Sequence, residues 1–220
     1  MITRRNLMLF LALLAIGALC GEARSFPISD TIPVEILSAD FAERDQLPQS
    51  DAPESTWYTG EHGSWGPRAA SYPAVEAPPG YPPLSWKRER IVAVAKRYIG
   101  LAYQHHHIPA WDPAGEGKGL DCSNFTSWVY NYGLGIKFTS LIHDQSDGPT
   151  APGRRLAPGV PFLPGDLLFI TTLDRTRVSH VVIWLGVWEK IIDSHGAGVT
   201  VRDFAGWYKD CFSHARRVVE

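Results

Sequence analysis

No stretch of this 220-residue chain is apolar for long enough to read as an ordinary membrane span. The uninterrupted apolar run at residues 7–20 covers 14 positions, against the roughly 20 that a spanning helix needs. Neither sign of charge is in excess: 21 basic and 23 acidic side chains leave a formal net charge of -2. No basic stripe interleaved with aromatics appears, which argues against a partner made of nucleic acid. The composition also lacks the biases of a fibre, a disordered acidic protein or a multi-span membrane protein. No internal repeat is evident. Cysteine is scarce, at 3 residues.

What is present at the N-terminus reads as an export signal. Arg4 and Arg5 precede the apolar run, and small and polar residues follow it. Residues 1–23 are therefore expected to be a signal peptide, cleaved after Ala23 or after Cys20. Residues 3–7 also resemble a twin-arginine signal, and Cys20 invites a lipidation reading against which Leu19 is bulky. An uncleaved anchor is the alternative. After cleavage the expectation is an exported monomer, periplasmic or extracellular, cell-wall associated and not held to a membrane. Export would leave Cys122 and Cys211 in an oxidising compartment, where two cysteines ordinarily suggest a bridge. A nucleophilic thiol cannot be locked in one, so Cys211 is expected to be a small buried apolar residue.

Between Phe26 and Pro83 there are 10 prolines and little periodicity. Residues 24–84 are thus expected to form a Pro-rich extension or linker. Trp57, Tyr58 and Trp65 within it either dock on the domain, contact a ligand, or pack locally. Order is expected from residue 85, so that 85–220 is the catalytic domain. Ile91, Val94, Ala95 and Tyr98 recur at helical spacing, with Ser85 as N-cap and Gly100 as terminator. Phe125, Trp128, Val129 and Tyr132 mark a second helix stopped by Gly133. Strands are expected at 166–171, 179–185, 190–194, 198–202 and 215–219. Helices followed by a run of antiparallel strands define an α+β domain rather than alternating βαβ units.

The chemistry concentrates at Cys122, which opens the second helix. Free N–H groups and the positive end of the helix dipole stabilise a thiolate there, and the same N–H groups can hold an oxyanion. His180 begins an apolar strand and can present an imidazole to that helix start, as a thiol's base must. A third polar group should orient the ring. Asp193 and His195 on the next strand both qualify, and being two apart they share a face. Among the rival readings, His105 and His107 could ligate a metal, but no partner ligand is visible nearby; no metal and no cofactor are expected. Asp112 and Asp121 read as caps, not as an acid–base pair.

Three ordered motifs, Asp121-Cys122-Ser123, Pro164-Gly165-Asp166-Leu167 and Ser179-His180-Val181 running to Leu185-Gly186, resemble the NlpC/p60 cysteine peptidases over residues 85–219. The resemblance implies a papain-like α+β domain, with N-terminal helices packed on an antiparallel sheet. It also implies hydrolysis of amide bonds in peptidoglycan stem peptides by a Cys, a His and a third polar residue, frequently His. On that basis, and because residues 187–190 lengthen the hairpin, His195 is preferred to Asp193 as the orienter. Tyr103 matches the family's oxyanion tyrosine, Ser123 joins it as an oxyanion or substrate contact, and Gln145 is placed in the groove. Two departures stand out: Asn124 replaces a glycine, and residues 104–107 replace Trp-Gly-Gly. They keep open an amidase, deamidase or acyltransferase on another substrate, beside a wall-binding module without activity.

Overall fold

The computed structural model describes residues 32–62, 65–109 and 118–220. The signal segment, Cys20 and Asp112 lie outside the described residues. No helix among the described residues is long and apolar enough to cross a membrane.

Two helices and a sheet build the core. The first long helix, α3 (Pro83–Arg97), follows two one-turn helices, α1 (Val34–Leu37) and α2 (Phe41–Arg44), and precedes α4 (Cys122–Leu134). Helix α3 starts two residues before the expected Ser85, because Pro83 at its first turn has no N–H to leave unpaired. Helix α4 runs through Gly133 and stops at Gly135, which sits in the left-handed region at φ 71°. Gly133 serves packing instead: a β-carbon there would lie 3.2 Å from Ile91 Cδ1 on α3. The apolar faces of these helices, including Ile91, Val94, Phe125 and Trp128, meet one face of the sheet at Phe169, Val181 and Ile183.

Six strands follow the short α5 (Ile142–Asp147): β1 (Arg154–Arg155), β2 (Leu167–Thr171), β3 (Val178–Trp184), β4 (Lys190–His195), β5 (Gly198–Asp203) and β6 (Phe212–Arg217). All paired neighbours are antiparallel, in the order β1-β6-β2-β3-β4-β5. This is an α+β domain, as its texture implied. Between β5 and β6 lies α6 (Trp207–Asp210), a single turn with no periodicity to betray it. The last strand begins three residues before the expected 215, because Phe212 pairs with Ile170 across a register shift.

The Pro-rich segment is not a free linker. From Ile32 onward it belongs to one compact unit with the rest of the chain, and Ile32, Leu37 and Tyr72 sit in the main core. Its anchors are single side chains. Arg90 on α3, almost fully buried, donates to both Asp40 carboxylate oxygens (2.7 and 2.9 Å) and to the carbonyls of Leu37 (2.7 Å) and Gly133 (2.6 Å). Arg44 Nε donates to the Tyr132 carbonyl at 2.7 Å. Asn131 on α4 donates to the Ala70 carbonyl (2.7 Å) and accepts from the Tyr72 N–H (3.1 Å), holding the segment as a neighbouring strand would. Tyr58 and Trp65 dock as well, against His106 at 4.5 Å and against His105 and His107 at 5.1 and 5.6 Å between ring centroids.

Because the nearly fully buried Arg90 ties two carbonyls and the Asp40 carboxylate together, Arg90→Ala should destabilise the folded state by about 3 kcal/mol. A denaturant titration measures this. A loss below about 1 kcal/mol, the scale of an exposed ion pair, would show that the segment is not anchored as described.

Candidate active site

The nucleophile candidate is held from three directions. Asp121, in extended backbone, caps α4: its Oδ1 accepts from the Asn124 N–H at 2.8 Å and from the Ser123 hydroxyl at 3.1 Å. Upstream, the Leu120 N–H donates to the Ala102 carbonyl at 3.1 Å, and Ser194 Oγ donates to the Leu120 carbonyl at 2.6 Å. Downstream, the fully buried Gln145 donates to the carbonyls of Ser123 (2.7 Å) and Thr139 (2.8 Å) and accepts from Thr126 Oγ1 (3.0 Å). Gln145 therefore braces the first turn and does not line a groove. The Ser123 hydroxyl likewise donates to the buried capping Asp121. Cys122 is left as the first helical residue, buried at the surface edge, with α4's early N–H groups lacking helical acceptors. Cys122 and Cys211 are both free thiols.

His180 reaches Cys122 from β3. Between Ile170 and Thr171 the β2–β3 register shifts, so that Ile170 faces His180 while Thr171 faces Val178 and Ser179 bulges out. Such a bulge bends a strand and re-aims its side chains. Buried His180 hydrogen-bonds Asp193, and Cys122 is close enough to help raise its pKa. Its Nε2 donates to Asp193 Oδ2 at 2.6 Å, and since a carboxylate only accepts, Nε2 carries the proton and Nδ1 is left for the thiol.

Asp193, fully buried on β4, is the group the sequence reasoning ranked second. It also accepts from Arg202 Nε on β5 (2.8 Å, at Oδ1) and from the Tyr208 hydroxyl on α6 (2.8 Å, at Oδ2). His195 is corrected as the partner of His180. Its exposed ring sits 5.0 Å from the His180 ring, tilted by 56°, and a further 5.7 Å from Trp207. Trp188 and Glu189 take left-handed backbone angles (φ 55° and 49°) in the turn. The ladder pairs Ile183 with Ile192 and Trp184 with Ile191, a register that, continued, would set His195 opposite His180; Asp193, on the same face and two residues nearer the turn, reaches the imidazole diagonally.

Electrostatics follow from these partners. Burial alone would lower the His180 pKa, but hydrogen bonds to Asp193 and Cys122 outweigh it and raise it to about 9. Asp193 shows the mirror balance: burial opposes its charge, yet His180, Tyr208 and Arg202 hold it below the usual carboxylate range. His195 is lowered by burial and by the His180 charge. Tyr103 is pushed up to about 12, first by burial and then by the negative charge of Cys122 and Asp121, so it stays protonated as a donor near the thiol.

The histidine run forms a wall beside this centre. His105 Nδ1 lies 3.3 Å from Asp121 Oδ2, and its ring packs on Tyr103 at 5.4 Å and on Trp65. His107 Nδ1 lies 2.9 Å from Asn124 Oδ1. Both histidines thus spend a ring nitrogen on the nucleophile's turn, and among the described residues no group of three or more His, Cys, Asp or Glu stands placed for a metal. Sequence reasoning missed Arg202 and Tyr208, while Trp65, left open between docking, ligand contact and local packing, docks on His105 and His107. For Arg202 a signal existed: strand parity puts it on the face of β5 that meets Asp193.

A cysteine at a helix start facing a strand histidine and a buried acid, on an antiparallel sheet covered by helices, defines a thiol-bearing α+β domain. Residues 110–217 match the model of the NlpC/P60 family, and through this domain the chain belongs to that family. A curated relative, the gamma-DL-glutamyl hydrolase of Bacillus subtilis (strain 168), is 28% identical over 111 residues, which are 50% of this chain and 24% of that protein. The chain therefore spans about a quarter of that relative's length. Among solved structures, an NlpC/P60 family protein from Bacillus cereus ATCC 10987 superposes with a TM-score of 0.50 at 24% identity, covering 60% of this chain and 40% of that one. The NlpC/p60 domain of a peptidoglycan hydrolase, SagA, is 27% identical with a TM-score of 0.42, covering 58% and 95% of the two chains.

The raised His180 pKa has a consequence for stability. An unfolded His titrates near 6.5, so the favourable interactions of the charged ring are fully present below that pH and are lost as pH rises through about 9. The melting midpoint of the wild type should fall across this window, and Asp193→Asn should flatten the slope. Parallel curves for the two proteins would show that Asp193 does not hold the charge.

Proposed function

We propose that this protein is an exported thiol hydrolase that cleaves amide bonds in peptidoglycan stem peptides, with Cys122 as nucleophile, His180 as base and acid, and Asp193 as the residue that orients His180. The observation that carries the reading is a buried His180, influenced by Cys122, hydrogen-bonded to a buried Asp193 whose charge Arg202 compensates. Family membership supports hydrolysis, and the gamma-glutamyl hydrolase relative supports a peptide with a γ-glutamyl amide as the substrate class.

The steps follow from the geometry. With the proton on His180 and the charge on Cys122, the thiolate sulfur attacks the scissile carbonyl carbon, and the carbonyl oxygen becomes an oxyanion. The N–H groups at the start of α4 and the Tyr103 hydroxyl, which stays protonated, can stabilise it. The C–N bond breaks as His180 Nδ1 gives its proton to the leaving amine, which yields a thioester and a neutral imidazole. Water then attacks the thioester while the imidazole takes its proton, and the C–S bond breaks to release the acid and restore the ion pair. Asp193 keeps the ring in one tautomer and stabilises it whenever it is charged.

The mature protein incubated with wall fragments should release peptides whose masses show one added water, detected by mass spectrometry. Cys122→Ala should release none; equal release by this variant would overturn the reading. Asp193→Asn should lower kcat by about 10²–10³-fold, whereas His195→Ala should cost less than about tenfold. The reverse ranking would return the orienting role to His195. Tyr103→Phe should lower kcat by about 10²-fold if its hydroxyl binds the oxyanion, and an unchanged kcat would remove it from the mechanism.

A further inference from the structure

Two groups on β4 stand near the His180 ring, and the strand register does not favour the one that holds it. The ladder pairs Ile183 with Ile192 and Trp184 with Ile191, so continued it sets His195 opposite His180, and the two rings lie 5.0 Å apart. Asp193 sits diagonally, two residues nearer the turn, yet its Oδ2 accepts from His180 Nε2 at 2.6 Å. Something other than register must turn this carboxylate toward β3 and keep it charged where it is fully buried.

The charged and titratable groups around Asp193 come from every neighbouring element: His180 on β3, with Cys122 of α4 beyond it, His195 on β4 itself, Arg202 on β5 and Tyr208 on α6. The two donors besides His180 do not act alike. The Tyr208 hydroxyl donates at 2.8 Å to Oδ2, the oxygen that His180 already uses. Arg202 Nε donates at 2.8 Å to Oδ1 and so holds the other oxygen away from the base. Its second arm, Nη2, donates to the His195 carbonyl at 3.3 Å. On the β4–β5 ladder Arg202 stands opposite Ile191, Thr200 opposite Asp193 and Gly198 opposite His195. The guanidinium therefore reaches along the ladder and ties the side chain of one candidate to the backbone of the other. A planar fork bound at two points fixes the carboxylate's orientation, where a single flexible donor leaves it free to rotate. Electrostatics run the same way. Asp193 is held low, against burial, by His180, Tyr208 and Arg202, while His195 is lowered by burial, by the His180 charge and by Arg202. One cation thus favours charge on the acid and opposes it on the competing ring.

We propose that Arg202 is a positioning residue for the base: by holding Asp193 Oδ1 and the His195 carbonyl in one fork, it turns the carboxylate to His180 and gives the orienting role to Asp193 in place of His195. Its effect on turnover rests on the proposed hydrolase reading; its effect on the His180 ring does not. Charge and pose have opposite signs here, which makes the role measurable. Removing a cation or a donor from Asp193 makes the carboxylate more basic and the surroundings less positive, which by itself raises the His180 pKa. Losing the pose weakens the bond from Nε2 to Oδ2 and lets His180 fall back toward the ordinary value of about 6.5.

Nitrogen NMR of the histidine-labelled full chain reads the His180 titration in the wild type, Arg202→Gln, Arg202→Lys and Tyr208→Phe. Arg202→Gln should lower the midpoint from about 9 by about one unit or more, the scale of one charge-assisted hydrogen bond. Arg202→Lys, which keeps the charge and one donor, should recover part of that shift. Tyr208→Phe removes only the donor that shares Oδ2 with His180, and should leave the midpoint in place or raise it. An unchanged or raised midpoint in Arg202→Gln, or a fall of the same size in Tyr208→Phe, would overturn the assignment. A role in stability alone would lower the melting temperature of Arg202→Gln without moving the midpoint, and would overturn it equally.

Steady-state kinetics test the choice between the two candidates. His195→Ala should lower kcat by less than about tenfold in the wild type and by roughly a further tenfold in Arg202→Gln, because the ring opposite His180 becomes the nearest acceptor once the carboxylate is released. Equal losses in the two backgrounds would show that Arg202 selects nothing. If the wild type releases no product at all, the hydrolase reading falls, and the titration still decides the positioning role.

Discussion

Everything at this site depends on one carboxylate that has no access to water. Asp193 is fully buried on β4, and an unpaired charge there would cost several kcal/mol. Its compensation comes from three separate elements: His180 on β3, Arg202 on β5 and Tyr208 on α6. Folding the sheet edge and aiming the imidazole are therefore one event. The same contacts keep His180 charged beside Cys122 and leave its second nitrogen for the thiol. The one-turn α6, which contributes little to the core, earns its place by carrying Tyr208 to Asp193 and Trp207 to the ring cluster around His180.

The nucleophile's turn is fixed by an equally short list of contacts, drawn from distant parts of the chain. Asp121 caps it, Ser194 and Ala102 hold the residue before it, and Gln145 braces it from α5. The Pro-rich segment then closes over one side. Trp65 lies on His105 and His107, and these two touch Asp121 and Asn124, on either side of the Cys122–Ser123 pair. A segment without periodic structure thus shapes the cleft wall through rings rather than through backbone pairing.

The long helices and four of the strands were legible because their apolar spacing is regular and their ends carry glycine or proline. The placement of Cys122 at a helix start and of His180 in an apolar strand was legible from the local pattern. The choice between Asp193 and His195 was not, since residues two apart on a strand share a face. The register alone would favour His195, and Asp193 reaches His180 diagonally while Arg202 and Tyr208 compensate its charge, polar contacts that no side-chain pattern announces. The anchoring of residues 32–83 was hidden for a related reason. Arg44, Arg90 and Asn131 each bind backbone carbonyls far away in sequence, and such isolated polar contacts leave no period to read. Gln145 looked like a groove residue from its position in the chain, and only its complete burial shows the bracing role.

The central claim is that Asp193 holds His180 as an imidazolium facing Cys122. Nitrogen NMR of histidine-labelled protein, followed from pH 5 to pH 11 with His180 assigned by substitution, tests this without reference to any substrate. The account predicts that the His180 ring stays doubly protonated to about pH 9 and that its tautomer on deprotonation carries the proton on Nε2. Titration of His180 near the ordinary value of about 6.5, with no change on replacing Asp193 by Asn, would contradict it.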